Sequence, residues 1–347
     1  MKNKLNKLES IRGFAAIYVV FHHMLPHVEL LGYDLTWVFR FGQEAVILFF
    51  LLSGFVIGYS FSFNPDKSFK TYFNKRFLRI YVPLILVFGV EYVSGDLWRS
   101  MDLKSWDMIG NLLMLQDLPA LKPHVIVAPF MGNSPLWSLS YEWWFYMLFF
   151  PLNKYGKNHA SLIVGAVGIC AALTYVIYPN FVNRELMYFC IWWLGIAAAR
   201  LYVQGEPISI MQLKNELMPV FGITLILLVN ALSMGDFSHW GIHPLLELRH
   251  FAFSLIVLFF AMQWKKLNWY GFVVFGSLFT WIAPISYEIY ISHYLVIRRS
   301  HYFISNFTSP SLIFLVEIVI CLGYALLIHQ IYNYLTRRLG SYFRLTR

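Results

Sequence analysis

The sequence predicts an all-α, polytopic membrane protein with about ten transmembrane helices and both termini in the cytoplasm. Its 347 residues are 59% hydrophobic and only 13% charged, and the mean hydropathy is +0.58. Soluble domains carry about 25% charged residues. The apolar residues are also grouped in runs of about 17 to 25, the length that a helix needs to cross a bilayer. Together these observations exclude a soluble globular fold.

Ten apolar runs are long enough to be predicted as transmembrane helices. They lie at residues 11–27, 37–61, 78–95, 136–151, 160–178, 186–201, 217–233, 246–262, 281–297 and 311–333. Another full span at 269–280 would crowd the next one, so this segment is predicted to be a short interfacial or re-entrant piece. No soluble stretch is long enough to fold by itself. We therefore expect residues 1–347 to form a single integral-membrane domain without a fused soluble domain.

The distribution of positive charge predicts how the bundle is oriented. An even number of spans places both termini on one side, and cytoplasmic loops carry the excess of lysine and arginine. With cytoplasmic termini, 19 of the 27 lysines and arginines fall inside. The eight on the outer side are Arg40, Arg99, Lys104, Lys122, Arg184, Arg249, Arg298 and Arg299. Topology thus explains the net charge of +9, and no nucleic-acid partner is expected.

The longest connection, residues 96–135, is predicted to lie outside and to be structured. Leu103, Trp106, Ile109 and Leu113 recur at near-helical spacing. This spacing predicts an amphipathic helix on the membrane surface, ended by Pro119. Such a helix would cover the outer end of a site between the spans.

Arg12 and His23 are the first candidate site residues. They are eleven residues apart, which in a helix gives about 16 Å of rise and about 20° of rotation, so they share one face. His22 lies about 80° off that face. Ionisable groups within a span are usually functional, and histidine is an effective acid or base near neutral pH. The alternatives are an arginine that reaches lipid phosphates and a histidine that only bonds a neighbouring helix.

Arg76 and Arg79 form a second candidate pair at the start of the third span. Because they are three residues apart, they are neighbours on one helical face, and two forked guanidinium groups suit phosphate binding. Ordinary positive-inside topology would also place basic residues there. In the preceding span, Ser53 and Gly54 interrupt the apolar run and predict close helix packing.

The fourth and ninth spans add polar residues. Ser140, Tyr141 and Glu142 lie at the predicted outer interface. An acid entering a span usually faces a partner or a wet cavity, although Glu142 facing lipid headgroups is the alternative. Tyr290 and His293 are three apart and share a helical face, which predicts either the polar lining of a cavity or a structural hydrogen-bond cluster.

Taken in order, these motifs resemble acyltransferase family 3, a family of bacterial membrane O-acyltransferases. The resemblance runs nearly end to end. It rests on Arg12 and His23 as an Arg-x10-His pair, FFLLSGF at 49–55, KRFLRIYVP at 75–83, PLWSLSYEWWFY at 135–146 and ISYEIYISHY at 285–294. One departure is visible. Many members carry an acid just before the LFF of the second span, where this chain has Ile47, so no catalytic role is assigned to that position.

The resemblance implies a ten-helix enzyme of the bacterial cytoplasmic (inner) membrane. Such an enzyme takes an acyl group, usually acetyl, from cytoplasmic acetyl-CoA. It transfers the group to a hydroxyl of an extracytoplasmic glycan such as O-antigen or exopolysaccharide. The resemblance further implies that Arg12 and His23 are essential, that Arg76 and Arg79 contribute, and that Glu142 lies near the outer end of the site.

These roles lead to a mechanistic hypothesis. The CoA phosphates bind Arg76, Arg79 and Arg12, and His23 acts as the general base on the acceptor hydroxyl. A two-step route, in which His23 itself carries the acyl group, stays open. The cavity is expected to include Ser140, Tyr141, Tyr290 and His293. The three cysteines lack the paired spacing of a metal site, so no metal is expected.

Two other classes of function fit some of these features. A transporter or channel would line its path with intramembrane Arg, His and Glu, but it would favour pseudo-symmetric halves with matched broken helices, which the sequence does not show. A scaffold for polysaccharide assembly would need no chemistry, and it predicts that His23→Ala leaves function intact.

Overall fold

The computed structural model describes residues 5–25, 32–94, 105–235, 237–300 and 309–343, and this part of the chain is helical. Its helices are α1 (Asn6–Met24), α2 (Gly42–Phe63), α3 (Phe69–Ser94), α4 (Ser105–Leu112), α5 (Trp137–Pro151), α6 (Ala160–Ile177), α7 (Phe181–Gln204), α8 (Lys214–Met234), α9 (Leu245–Lys266), α10 (Phe272–Thr280), α11 (Ser286–Arg299) and α12 (Pro310–Phe343). Short 3₁₀ and π turns join some of them. The all-α prediction is confirmed for the described residues.

Each of the ten predicted spans overlaps a helix, and seven helical stretches of the described chain are long and apolar enough to cross a membrane. One of these stretches, Ser134–Ile177, runs through both α5 and α6 and so covers two predicted spans. Two of the helices that correspond to predicted spans fall outside the seven stretches. Helix α1 carries Lys7, Glu9 and Arg12 in its first turns, and α11 has 14 residues. A count of ten spans and the cytoplasmic termini stay predictions.

The predicted surface helix exists as α4, but its end was predicted wrongly. The helix stops at Leu112 and not at Pro119. Met114 has a φ of +56°, and the Leu115 N–H bonds back to the Gly110 carbonyl at 2.9 Å, so the backbone turns away before any proline. Of the predicted face, Trp106 and Ile109 are exposed and Leu103 lies outside the described residues, as do Arg99 and Lys104. Within 269–280 the chain forms the nine-residue helix α10, so this segment is short as predicted; its interfacial or re-entrant position stays a prediction.

Helices α2 and α7 pack with their backbones in close contact. A Cβ at Gly54 would lie 2.1 Å from the Trp192 carbonyl oxygen, and one at Gly195 would lie 2.2 Å from the Leu51 carbonyl oxygen. Only glycine permits this approach. The packing predicted from Gly54 is therefore confirmed, and it fixes α2 between α7 and α1.

A buried ionic cluster ties the segment between α4 and α5 to the helices. Asp117 accepts hydrogen bonds from Lys122 at 2.9 Å and from the Tyr141 hydroxyl at 2.7 Å, and it pairs with Arg184 of α7 at 3.2 Å. The side chains of Asp117, Lys122 and Arg184 are fully buried. Burial lowers the pKa of Lys122, while the Asp117 carboxylate opposes that shift. This cluster holds the segment between α4 and α5, named the outer segment after its predicted location, against α5 and α7.

Candidate active site

Helices α1, α2, α3, α5 and α11 enclose a cavity of about 340 Å³. Five residues that the sequence singled out lie on its wall, although they come from four helices. They are Arg12, Arg76, Arg79, Glu142 and Tyr290. The remaining wall is largely apolar and comes mainly from α2.

Glu142 is held in the cavity by hydroxyl groups. Ser53 of α2 donates a hydrogen bond to its Oε1 at 2.7 Å, and the Tyr146 hydroxyl donates to the same oxygen. The Trp192 indole N–H in turn donates to Ser53 at 3.2 Å. Two helices and a tryptophan from a third therefore fix the orientation of this carboxylate. Sequence reasoning missed Ser53 and Tyr146 as functional residues.

The two arginines of α3 have different surroundings. Arg79 forms an ion pair of 2.7 Å with the fully buried Glu288 of α11, and His329 approaches the same carboxylate oxygen at 3.1 Å. Arg76 instead lies over the rings of Tyr72 and Tyr146, at 5.8 and 5.7 Å from their centroids. The buried Nε of Arg76 has no hydrogen-bond partner among the described residues. Arg76 is therefore the cation whose donors are the more available to a ligand.

Arg12 reaches the cavity from α1. Its Nη2 contacts Glu9 at 2.6 Å and the Ala283 carbonyl at 2.8 Å. Its buried Nε, like that of Arg76, lacks a hydrogen-bond partner in the described part of the chain. Arginines from two helices thus line one space, and a cluster of guanidinium groups suits an anionic ligand.

His23 does not line this cavity but lies beyond its Tyr290 end. Its ring is 5.3 Å from the ring of His293, centroid to centroid, and His293 is 6.2 Å from Tyr290. A line of three rings therefore leads from the cavity wall to His23. His22 contacts a different part of the chain, because its Nδ1 lies 2.7 Å from the Phe39 carbonyl oxygen. The rings of His22 and His23 nevertheless contact each other edge to face, with their centroids 4.9 Å apart.

His293 and Tyr290 are fixed by short contacts. The Tyr290 hydroxyl donates to the Pro135 carbonyl at 2.6 Å and lies 2.7 Å from the Ser138 hydroxyl, which also lines the cavity. His293 places Nδ1 at 3.0 Å from the Ile289 carbonyl. Its buried Nε2 has no partner among the described residues. One nitrogen of His293 is thus available next to His23.

Ser140 and Tyr141 are not brought into the cavity. Ser140 donates to the carbonyl groups of Gln116 and Trp137, each at 2.8 Å. Tyr141 belongs to the buried cluster around Asp117. Both side chains connect α5 to the outer segment in this structure. In the described chain, no group of three or more His, Cys, Asp and Glu side chains is placed to hold a metal ion.

Comparison with known proteins shows which family the chain belongs to. A family model described as an acyltransferase domain matches residues 5–330. Over 158 residues the chain is 35% identical to acyltransferase MdmB of Streptomyces mycarofaciens, covering 42% of this chain and 38% of that protein. It is 29% identical over 195 residues to a protein of Acidianus two-tailed virus provisionally named acetyltransferase ORF330, covering 54% and 53% of the two chains.

The matched regions therefore span less than two thirds of either relative. No solved structure matches the chain significantly. The family model, in contrast, covers nearly all of the sequence, so the membership does not depend on the shorter matches. The chain belongs to acyltransferase family 3.

Proposed function

We propose that this protein is an O-acyltransferase of a bacterial cytoplasmic membrane. It moves an acetyl group from cytoplasmic acetyl-CoA to a hydroxyl of an extracytoplasmic glycan, such as O-antigen or exopolysaccharide. One observation carries the proposal: three arginines and Glu142 line a single cavity, and the rings of Tyr290 and His293 connect its wall to His23.

The arginines are assigned to the acyl donor. Acetyl-CoA is rich in phosphate, and a guanidinium group binds phosphate oxygens through two parallel hydrogen bonds. Arg76 and Arg12 both line the cavity, and neither Nε is used in a hydrogen bond among the described residues, which supports this fit. Arg79 adds positive charge, although Glu288 neutralises part of it. In the predicted topology these residues lie toward the cytoplasm, the side from which the donor arrives.

His23 is assigned to the chemistry at the outer end. It removes the proton from the acceptor hydroxyl while the hydroxyl oxygen attacks the thioester carbonyl. The new C–O ester bond forms, the C–S bond breaks, and CoA leaves as a thiol after it receives a proton. His293 lies beside His23 and is proposed to position it. In the two-step alternative, the acyl group passes first to His23 and then to the acceptor.

Glu142 is assigned to the cavity between these two ends. Its carboxylate accepts two hydroxyl hydrogen bonds on one oxygen. Its negative charge lies within a wall that also holds three arginines. We propose that it positions the donor and the arginines, and that the acceptor sugar approaches from beyond His23. Ser140 and Tyr141 stay candidates for this outer side.

The test is mass spectrometry of surface glycans from cells that express the parent protein or His23→Ala at equal membrane abundance. We expect a mass increment of one acetyl group with the parent and none with His23→Ala. His22→Ala is the matched control, because it removes the same kind of ring from the next position, where Nδ1 lies beside the Phe39 carbonyl and the ring packs against that of His23. We expect glycan modification to persist in this variant. Equal modification by His23→Ala and the parent would overturn the role of His23. A host with a competent acceptor that shows no acyl increment would overturn the transfer itself.

A further inference from the structure

A second and larger cavity, of about 680 Å³, lies among α1, α2, α7 and α9. Helices α1 and α9 each pack against α2, and the cavity occupies the space between them. Its wall is largely apolar, and its charged side chains are Lys7, Lys265 and Glu206. No side chain assigned to the proposed acyl transfer lines it, so that function leaves this cavity without a role.

The charged side chains gather at one end of the cavity. Lys7 lies in the first turn of α1, Lys265 in the last turn of α9, and Glu206 just beyond the end of α7. These helix ends meet, because the Lys7 Nζ lies 4.9 Å from the centroid of the Trp269 ring, which follows α9 and also lines the cavity. The cavity thus has a polar end and an apolar interior.

The apolar interior has the length of one leaflet of a bilayer. On α9 the wall runs from Lys265 to Val257, and on α2 it runs from Phe63 to Leu48. These stretches measure about 12 and 22 Å along the helix axes. The hydrocarbon of one leaflet is about 15 Å deep. Because α2, α7 and α9 are long and apolar enough to span a membrane, their ends lie where lipid headgroups lie.

We propose that this cavity binds an anionic phospholipid, with the phosphate at Lys7 and Lys265 and an acyl chain along the apolar wall. Two lysines and one glutamate give the polar end a charge of +1, which complements a headgroup with one negative charge. Among the described residues, the Lys7 ammonium lies over an aromatic ring, and Lys265 is exposed. Both can therefore approach a phosphate. Such binding does not depend on the proposed acyl transfer.

The experiment measures phospholipid binding to the delipidated full-length protein in a neutral detergent by native mass spectrometry. Phosphatidylglycerol is the anionic probe, and phosphatidylcholine with the same acyl chains is the zwitterionic one. A lysine near an anionic lipid contributes about fivefold to binding, so we expect the parent to prefer phosphatidylglycerol by at least about tenfold. Glycerol phosphate carries the charge without a chain and should not displace the lipid, because burial of the chain supplies much of the affinity.

Three variants locate the bound lipid. Lys7→Gln/Lys265→Gln should weaken phosphatidylglycerol binding by at least about tenfold and leave phosphatidylcholine binding unchanged. Lys266→Gln is the matched control, because Lys266 is exposed beside Lys265 but does not line the cavity, and it should bind both lipids as the parent does. Ala261→Phe adds a ring to the apolar wall and should weaken the binding of both lipids.

The possible failures point to different parts of the proposal. Equal affinity of the parent for the two lipids, or an equal loss in Lys266→Gln, overturns the assignment of the phosphate to the two lysines. Unchanged lipid binding in Ala261→Phe overturns the position of the acyl chain. Displacement by glycerol phosphate overturns the need for a lipid. If Ala261→Phe does not survive purification, Ala261→Leu carries the same test with a smaller loss expected.

Discussion

Arg76 and Arg79 lie one helical turn apart on the same cavity, and their partners differ. Among the described residues, Arg79 pairs with the buried Glu288, whereas Arg76 contacts two tyrosine rings. Removing Arg79 leaves a buried carboxylate without its cation, which costs folding free energy. No described ion pair depends on Arg76. The two residues therefore allow donor binding and stability to be separated.

We predict that Arg76→Ala raises the KM for acetyl-CoA by about tenfold to hundredfold. A hydrogen bond to a charged group contributes about 1.5–3 kcal/mol, and at least one such bond to a phosphate is lost. The unfolding temperature in detergent should equal that of the parent. The measurement is the initial rate of acetyl transfer against acetyl-CoA concentration, together with a thermal unfolding curve.

Arg79→Ala is the comparison variant. It should lower the free energy of unfolding by about 1–3 kcal/mol, and the added change Glu288→Gln should recover part of that loss.

The assignment of Arg76 to the donor would be wrong if Arg76→Ala left the KM for acetyl-CoA unchanged. It would also be wrong if the loss of activity followed a loss of stability in Arg76→Ala.

Ser53 and Tyr146 show what the sequence can reveal about single residues. Tyr146 follows Glu142 by four residues, a spacing that places both on one helical face, so its contact with Glu142 was available from the sequence. Ser53 gave no such signal. It lies 89 residues from Glu142, and the contact depends on how α2 and α5 pack. The same dependence on packing placed Tyr141 with Asp117, away from the cavity.

At the scale of helices, the close approach of α2 and α7 carries the next prediction. Gly54→Ala should lower the free energy of unfolding by about 1–3 kcal/mol, because the new Cβ would lie 2.1 Å from the Trp192 carbonyl oxygen and the helices must separate. The displacement would also move Ser53, the next residue, away from Glu142. Both effects are measurable, by thermal unfolding in detergent and by the rate of acetyl transfer.

Gly89→Ala in α3 is the matched control. A Cβ at Gly89 meets no atom within 4 Å, and alanine is favoured over glycine within a helix by about 0.5–1 kcal/mol. This variant should be as stable as the parent or slightly more so. If Gly54→Ala were equally stable, the seam between α2 and α7 would not need glycine, and the packing described above would be incorrect.

Hydropathy located the helices well but their ends poorly. The first span was predicted to begin at residue 11, yet α1 begins at Asn6, since Lys7 and Glu9 interrupt an apolar run without interrupting a helix. Helix α4 ends at Leu112 because the backbone turns at Met114. Residues 112–116 include none of the residue types, such as Gly, Pro, Asn or Asp, that predict a turn from sequence. Apolar runs report burial in a membrane, whereas helix ends depend on local backbone hydrogen bonds.

At the scale of the whole molecule, cations that the sequence places on the outer side are held in specific contacts. Arg249 pairs with Glu44 of α2, Arg298 donates to the Met131 carbonyl, and Lys122 and Arg184 share Asp117. These contacts connect segments far apart in the sequence. These four of the eight predicted outer cations thus have structural partners, which explains their presence against the general charge bias.

The cluster around Asp117 gives the prediction for the molecule as a whole. Asp117→Asn leaves Lys122 and Arg184 as two buried cations without their shared carboxylate. The loss of one partner from a buried ion pair costs about 3–5 kcal/mol, so we expect a large drop in unfolding temperature in detergent. The double variant Asp117→Asn/Lys122→Met should be more stable than the single variant, because one uncompensated charge is removed.

A control distinguishes this network from a general effect of charge. Glu206→Gln also removes one carboxylate, but Glu206 is exposed, and exposed substitutions change stability by at most about 0.5 kcal/mol. If Asp117→Asn unfolded at the same temperature as Glu206→Gln, the cluster would not hold the outer segment.

The loss of stability expected for Asp117→Asn also has a functional consequence. The outer segment supplies Pro135, whose carbonyl accepts the Tyr290 hydrogen bond, so loosening the segment should also disturb the Tyr290–His293–His23 line and slow acetyl transfer.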